Sequence, residues 1–407
     1  MELNQKYKAG FIAQVDASLR GEVTYIPIHL KRVGKSFNLM QSRYVLISGA
    51  TGAGKTSIAD ETFVLAPYTY LKENKENIHW EVLYFSLERK QMFKHAKWVS
   101  WMIYRDHRTQ ISADDIMGWG EKPLNKTGYD LIRSYDQEMT DLLDHMQIYD
   151  GKISPNVIQR AIDRRAHELG TFYWTDEHGI YSAHDQIPFQ LFTDENLVEQ
   201  TKTGPRKYIQ WEHKERKFKL YEDDHQYFPD NPKTFVYIII DGINLLGDKE
   251  IIDKISVEIA DARDKYGFSP VVVTQQNRSL ADINRLKHHG GDLSPQIEDV
   301  FKSSQMGFDA DVVFGLFDPL MYKAHDADGK YDGYVVLQSS DGLTGSMQTP
   351  AGLSRFRSLH ILKNSFGPNG AKYGLKFLGE SNYFETLPFP DDETAINKVY
   401  VEIRQGL

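Results

Sequence analysis

The sequence predicts an α/β fold with a largely parallel central sheet flanked by helices. Strand-like and helix-like patterns alternate along the chain, as they do where crossover helices join parallel strands. Short runs such as Tyr44-Val-Leu-Ile-Ser48, Val82-Leu-Tyr-Phe-Ser86 and Phe235-Val-Tyr-Ile-Ile-Ile240 read as buried strands. A glycine-rich segment from Gly49 to Thr56 lies between the first of these runs and a helical pattern.

The elements follow in order. Leu3, Tyr7, Phe11, Val15 and Leu19 fall four apart, which makes one apolar stripe on a helix over residues 1–20. Such a helix packs either on its own domain or on a neighbouring subunit. Gly21 breaks it, and residues 21–170 form the first part of the core. After the strand at 82–86 comes a long helical region with Trp98, Trp101, Met102 and Tyr104 on one side, read as core rather than as a binding platform. Residues 154–169 form a helix with Ser154 as N-cap, Pro155 at the first turn and Gly170 as stop.

Residues 171–233 change character. They are rich in aromatic, histidine and charged residues, with turn signals at Glu177-His-Gly179, Thr203-Gly-Pro205 and Pro229-Asp-Asn-Pro232. Tyr208-Ile-Gln-Trp211 and Phe218-Lys-Leu-Tyr221 resemble two strands of an exposed hairpin. The segment is expected to be a β-rich insertion. The core resumes over 234–390. Its strands are expected at Phe235–Ile240, Val271–Thr274, Val312–Leu316, Tyr334–Leu337 and Ser358–Leu362. Residues 391–407 are expected to be a tail.

Composition narrows the function. The chain has 407 residues, no cysteine and a net charge of −9. Disulfides, thiolate metal sites and a cysteine nucleophile are excluded. The acidic balance counts against a protein that coats duplexes, but leaves room for a narrow basic channel. No apolar run approaches the roughly 18 residues of a membrane span. The polar N-terminus lacks the apolar core of a signal peptide. A soluble, cytoplasmic protein without membrane contact is expected.

Gly49, Ala50, Thr51, Gly52, Ala53, Gly54, Lys55 and Thr56 match the phosphate-loop pattern G-x-x-x-x-G-K-[ST]. Its glycines let backbone N–H groups turn inward around phosphates, and the helix N-terminus adds partial positive charge. These residues and the adjacent Ser57 are the candidate nucleotide-binding set. Lys55 is expected to reach the β- and γ-phosphates of ATP, and the Thr56 hydroxyl to hold Mg2+. Asp241 ends the most apolar strand and is the candidate second metal-organising group, acting through water. Gly242 follows it, so the catalytic base must come from elsewhere. Glu88, just beyond the strand ending at Ser86, is the candidate.

Phe85-Ser-Leu-Glu88 downstream of the phosphate loop resembles the DnaB-type replicative helicases, members of the RecA-like ATPase group. Other segments follow in the same order. Ile240-Asp241 resembles the family's second nucleotide motif, and Val273-Thr-Gln-Gln-Asn-Arg278 its Ser-Gln-Leu-Asn-Arg motif. Asp309-Ala-Asp-Val-Val313 resembles an Asp-Ala-Asp-Val-Val element. Lys363-Asn-Ser-Phe-Gly-Pro-Asn-Gly370 resembles the segment that carries trans-acting cations. The resemblance spans about residues 20–380 apart from the insertion. It implies a RecA-like P-loop NTPase core in a homo-hexamer, an ATP-driven helicase translocating on single-stranded DNA. Gln275 would sense the γ-phosphate, and Lys363 would reach a neighbour's nucleotide. Phe301, Lys302, Ser303 and Ser304 would line the DNA channel. Arg285 and Lys287 belong to the same locally basic stretch and are candidate DNA contacts.

Three departures stand out. Ser365 occupies the position of the family's trans-acting arginine. The helical N-terminal domain of the bacterial enzymes is expected to be missing, so a primase or helicase-loader contact is absent or different. The 171–233 insertion has no counterpart in the family's pattern. A compact helicase of this kind implies a bacteriophage protein. Two other readings stay open: a packaging motor, which usually pairs its metal aspartate with an adjacent glutamate, and a nucleotide-gated scaffold that does not hydrolyse.

Overall fold

The computed structural model describes residues 8–405 except 9–10, 13–14, 17, 21–24, 75–77, 121–122, 177–178, 183–196, 202–203, 214–215, 222–224, 277–292, 300–303 and 339–344. The first strand, β1 (Val45–Gly49), leads into the glycine-rich loop and α1 (Lys55–Asp60). A π-helical turn (Glu61–Leu65) joins α1 to α2 (Ala66–Asn74). β2 (His79–Ser86), α3 (Gln91–His107), α4 (Ala113–Ile116), α5 (Lys126–Arg133), α6 (Asp136–Leu143), β3 (Met146–Asp150) and α7 (Pro155–Leu169) follow.

A nine-stranded sheet forms the body of the protein. It adds β10 (Thr234–Asp241), β11 (Ser269–Gln275), β12 (Val312–Phe317), β15 (Phe356–Asn364), β16 (Lys372–Leu378) and β17 (Tyr383–Thr386) to the first three strands. The strand order is β17-β16-β15-β12-β1-β11-β10-β2-β3. From β12 to β3 every pairing is parallel, whereas β15, β16 and β17 are antiparallel additions. Every residue of β1 and β10 is buried, which is why both read as unbroken apolar runs. Trp98, Trp101, Met102 and Tyr104 are buried on α3, in agreement with a core role.

Helix α8 (Lys249–Tyr266) crosses from β10 to β11. Asp248 caps its start by accepting from the Ile251 N–H, and Gly267 ends it in the left-handed region. Ile252, Ile255 and Ile259 bury one face of it. Its signals are local: an Asp cap, an apolar spacing of three to four and a closing glycine. β16 and β17 are not among the strands expected from the sequence.

Between α7 and β10 lie two small antiparallel sheets. One orders β5 (Gly179–Ser182), β4 (Gly170–Asp176) and β9 (His225–Pro229); the other orders β6 (Leu197–Thr201), β7 (Gly204–His213) and β8 (Arg216–Tyr221). Tyr208 pairs with Tyr221 across β7 and β8.

Two expectations need correction. Tyr334–Leu337 does not join the main sheet: only β14 (Tyr334–Val335) is extended, paired with β13 (Lys330–Tyr331) in a two-stranded ladder. Its apolar residues serve a separate cluster, with Tyr334 and Val336 buried beside Met347 and Phe356. Residues 391–407 are more than a tail. They include helix α10 (Glu393–Arg404), capped by Asp392 and docked through Ile396, Tyr400 and Ile403 on that same cluster. The Lys376 ammonium reaches Glu402 at 3.0 Å.

Near the N-terminus the described residues from Lys8 to Leu19 are helical. Phe11, Ile12, Val15 and Leu19 there are exposed, while Leu3 and Tyr7 lie outside the described residues. Among the described residues no helix is long and apolar enough to cross a membrane.

Docking of α10 is testable. Ile403 is fully buried, so Ile403→Ala should cost about 2–5 kcal/mol, the range for deleting a buried aliphatic side chain. Urea unfolding measures this, and a change below about 0.5 kcal/mol, the scale of a surface substitution, would mean that the helix is not packed.

Candidate active site

Parallel strands all point their C-terminal ends to one edge of the sheet. At that edge β1, β11, β10 and β2 stand side by side. Gly49 pairs with Gln275, Val273 with Asp241, and Asp241 with Ser86. The ladder thus brings the glycine-rich loop, Gln275, Asp241 and the Glu88 turn to the same end of the sheet, with Asp241 two residues below the Gly49–Gln275 pair.

The loop itself is held from below. Gly52 and Gly54 have φ of +79° and +96°, conformations that L side chains rarely adopt. A Cβ on Gly54 would stand 3.0 Å from the rings of Phe377 and Phe384, so the loop lies directly on that stacked aromatic pair. Arg357, almost wholly buried, donates through Nε to the Ala53 carbonyl at 2.9 Å and pairs with Asp318 at 2.8 Å. Ser57 donates to Asn382 at 3.0 Å from within the core. These contacts hold Ala53, Gly54 and Ser57 in place, and the Ala53 N–H closes the turn by donating to the Ala50 carbonyl at 3.2 Å.

Lys55 folds back and donates to the Ala50 carbonyl at 2.8 Å. Burial lowers its pKa, and the nearby carboxylates of Glu88 and Asp241 oppose that shift. Thr56 donates its hydroxyl to Asp241 Oδ1 at 2.8 Å. Asp241 has no exposed surface. Burial works against its ionisation, yet Lys94 and the Thr56 hydroxyl outweigh it and hold the carboxyl below the usual range. A hydroxyl and a carboxylate beside a phosphate loop are the hard oxygen donors that Mg2+ takes, so these two residues fit the metal. Gln275 donates from Nε2 to the Thr51 hydroxyl at 3.3 Å, which ties the end of β11 to the loop.

Glu88 is exposed on the turn after β2. Gly242 has φ +90°, and a Cβ built on it would stand 2.6 Å from Glu88 Cγ. The Glu88 side chain therefore fills the space that a side chain after Asp241 would need. Glycine at 242 is thus what the close approach of Glu88 permits.

Lys363 lies elsewhere. It pairs with Val313, which pairs with Leu46, whereas the loop departs from Gly49 opposite Leu316. Three residues of strand set it on the order of 10 Å back toward the opposite edge. Its ammonium donates to the carbonyls of Gly307 and Phe308, at 3.1 and 2.8 Å. Ser304 opens the short helix α9 (Ser304–Asp309). Arg285, Lys287, Phe301, Lys302 and Ser303 lie outside the described residues.

The sequence shows no signal for Lys94, Asp60 and Arg357, whereas Gly242 is legible there as the residue after Asp241. Beside the loop at Gly52 opens a cleft of about 580 Å3, lined in part by Lys97, Arg355, Arg357 and Phe377. Lys97 lies one turn beyond Lys94 on α3, so the helix after the Glu88 turn serves both the cleft and the buried carboxylates.

Gly242→Ala should push Glu88 out of place and add backbone strain of about 1–3 kcal/mol. Steady-state hydrolysis should fall by at least tenfold while binding of a fluorescent ATP analogue stays within a factor of two to three of the parent. Parental turnover by the variant would separate Glu88 from the chemistry.

No protein-family profile and no curated protein sequence matches the chain. Solved structures do. The ATPase domain of a phage DnaB-like helicase superposes with a TM-score of 0.56 at 14% identity, covering 93% of this chain and 98% of that one. A DnaB-like replicative helicase, solved in a study of its interactions with primase, gives 0.55 at 14% identity and covers 92% and 67%. The RecA-like ATPase fold expected from the motifs is the fold observed, and this chain is built as the ATPase domains of DnaB-like replicative helicases are.

Proposed function

We propose that this protein is an ATP-dependent DNA helicase that works as a homo-hexamer and translocates on single-stranded DNA during replication. The observation that carries this reading is the gathering of Lys55, Thr56, Asp241, Glu88 and Gln275 at the C-terminal ends of neighbouring parallel strands, around the glycine-rich loop. The family resemblance gives Lys363 a role toward a neighbour's nucleotide, and the ring of subunits in this reading rests on that assignment.

In this reading the loop N–H groups and Lys55 hold the β- and γ-phosphates of ATP. Thr56 and Asp241 hold Mg2+, which when bound neutralises charge on those phosphates. Glu88 orients and polarises the attacking water. Gln275, hydrogen-bonded to Thr51, reports the state of the loop to the segment that follows it. That segment, with Arg285, Lys287 and Phe301–Ser304, grips the phosphates of single-stranded DNA. A primase or a helicase loader is a further candidate partner. The setting is the cytoplasm, that of the host if the chain comes from a bacteriophage. The seat that Gly242 leaves for Glu88 favours a hydrolysing enzyme over a nucleotide-gated scaffold.

An ATPase assay with and without single-stranded DNA tests the reading. Turnover should rise with DNA. Lys55→Ala should abolish it, because the main counter-charge to the phosphates is lost. Glu88→Gln should still bind nucleotide but hydrolyse at least a hundredfold more slowly. Parental turnover by Glu88→Gln would refute the choice of base, and an absence of any turnover in the parent would favour the scaffold.

The exposed stripe of Phe11, Ile12, Val15 and Leu19 generates a second test. Deleting residues 1–20 should leave a folded core that sediments as a monomer, since the stripe has a neighbouring subunit to cover it in a ring. Rings that persist in the truncated protein would return the helix to its own domain.

A further inference from the structure

Beneath the phosphate loop three charged side chains are sealed from water. Lys94 and Asp241 are each 1% exposed at the side chain and Asp60 is 4%. The Lys94 ammonium donates to Asp241 Oδ2 at 2.7 Å, lies 3.6 Å from Asp60 Oδ1 and donates to the Tyr84 hydroxyl. Tyr84 in turn donates to Asp60 Oδ1 at 2.6 Å, and the Trp98 indole to Asp60 Oδ2 at 3.1 Å.

Desolvating an ammonium costs several kcal/mol, and an apolar side chain of similar volume would fill the same place without that cost. The pattern of bonds shows what the lysine does there. Of the three donors of an ammonium, one goes to Asp241 and one to Tyr84, and Asp60 adds an ion pair at 3.6 Å. Asp60 spends its own oxygens on Tyr84 and Trp98, so it is a fixed anchor. Asp241 has one oxygen on Thr56 and the other on Lys94, which leaves its carboxylate a single orientation. Thr56 comes from the phosphate loop, and Lys94 comes from the helix after the Glu88 turn.

We propose that Lys94 is a positioning residue for Asp241: anchored by Asp60 and Tyr84, its ammonium sets the carboxylate in the orientation that receives Mg2+ with the nucleotide. This rests on the reading of Asp241 as the metal-organising group.

The experiment compares nucleotide affinity with Mg2+ and with EDTA, together with thermal unfolding in the absence of nucleotide. The probe is a fluorescent, non-hydrolysable ATP analogue. Lys94→Met alone leaves two buried carboxylates without their cation, so it should unfold at lower temperature. The decisive variant is Lys94→Met/Asp60→Asn, which removes one charge of each sign. It should unfold near the parent temperature and bind the probe in EDTA as the parent does. The gain in affinity that Mg2+ brings should shrink about tenfold, the worth of one charge-assisted hydrogen bond. Asp60→Asn alone keeps the Lys94–Asp241 bond and an oxygen to accept from Tyr84, which still holds the ammonium, so it should keep the parental gain. A double variant with the full Mg2+ gain would make Lys94 a structural cation and overturn the proposal. A gain already lost in Asp60→Asn would overturn it too, by giving the effect to Asp60. A parent that gains nothing from Mg2+ would fail at the earlier step, the reading of Asp241 itself.

Discussion

Backbone ladders between parallel strands have evenly spaced bonds and a side-chain period of two, so a slip of one residue would turn every side chain to the wrong face. The four central strands here are fixed in that way. Gly49 lies level with Gln275, and Asp241 lies level with both Val273 and Ser86. Every contact at the candidate site inherits its height from this ladder. Because the strands are buried on both faces, the apolar packing that holds the domain together is the same packing that sets the register. The site therefore needs no separate scaffold.

What the ladder leaves undetermined is settled by close contacts above it. The aromatic pair Phe377 and Phe384 supports the loop from the antiparallel side of the sheet. Arg357 comes from the start of β15, which runs against its neighbour β12 and so begins at the edge where β12 ends. Thus the antiparallel strands, added beyond the parallel core, do the tightening. Glu88 takes the space beside Gly242, while Lys94 donates to Asp241. Helix α3 and the turn before it link the exposed acid to the buried one.

How much of this could be read in the sequence follows from where each signal lies. The parallel core was legible because strands buried on both faces appear as continuous apolar runs, and Lys55, Thr56 and Asp241 stand in or at the end of such contexts. The strand Lys372–Leu378 escaped because its lysines, glycine and apolar residues interrupt one another and no such run appears. Tyr334–Leu337 looked like a sheet strand because its apolar residues serve a cluster that only the C-terminal helix completes. Lys94 lies in Gln91-Met-Phe-Lys-His95, where a lysine reads as surface charge, and only the tertiary fold turns it inward. Arg357 and Gly242 act through contacts with residues distant in the chain, which no local pattern encodes. The α8 helix is a different case: its caps and spacing are in the sequence and went unread.

The π-helical turn at Glu61–Leu65 has a consequence for how this chain lines up with proteins of the same fold. Glu61 is fully buried there and accepts the Phe384 N–H at 2.7 Å. A π-turn accommodates one additional residue inside a helix while the helical segments before and after it keep their own faces. A protein of that fold with an unbroken α-helix behind its phosphate loop would be one residue shorter at this point. The correct alignment would then carry a one-residue gap in the middle of a helix, close to the most recognisable motif in the chain. Matching that forbids gaps within helices would displace everything from Ala66 onward by one position, and the apolar residues of α2 would be compared with the wrong partners.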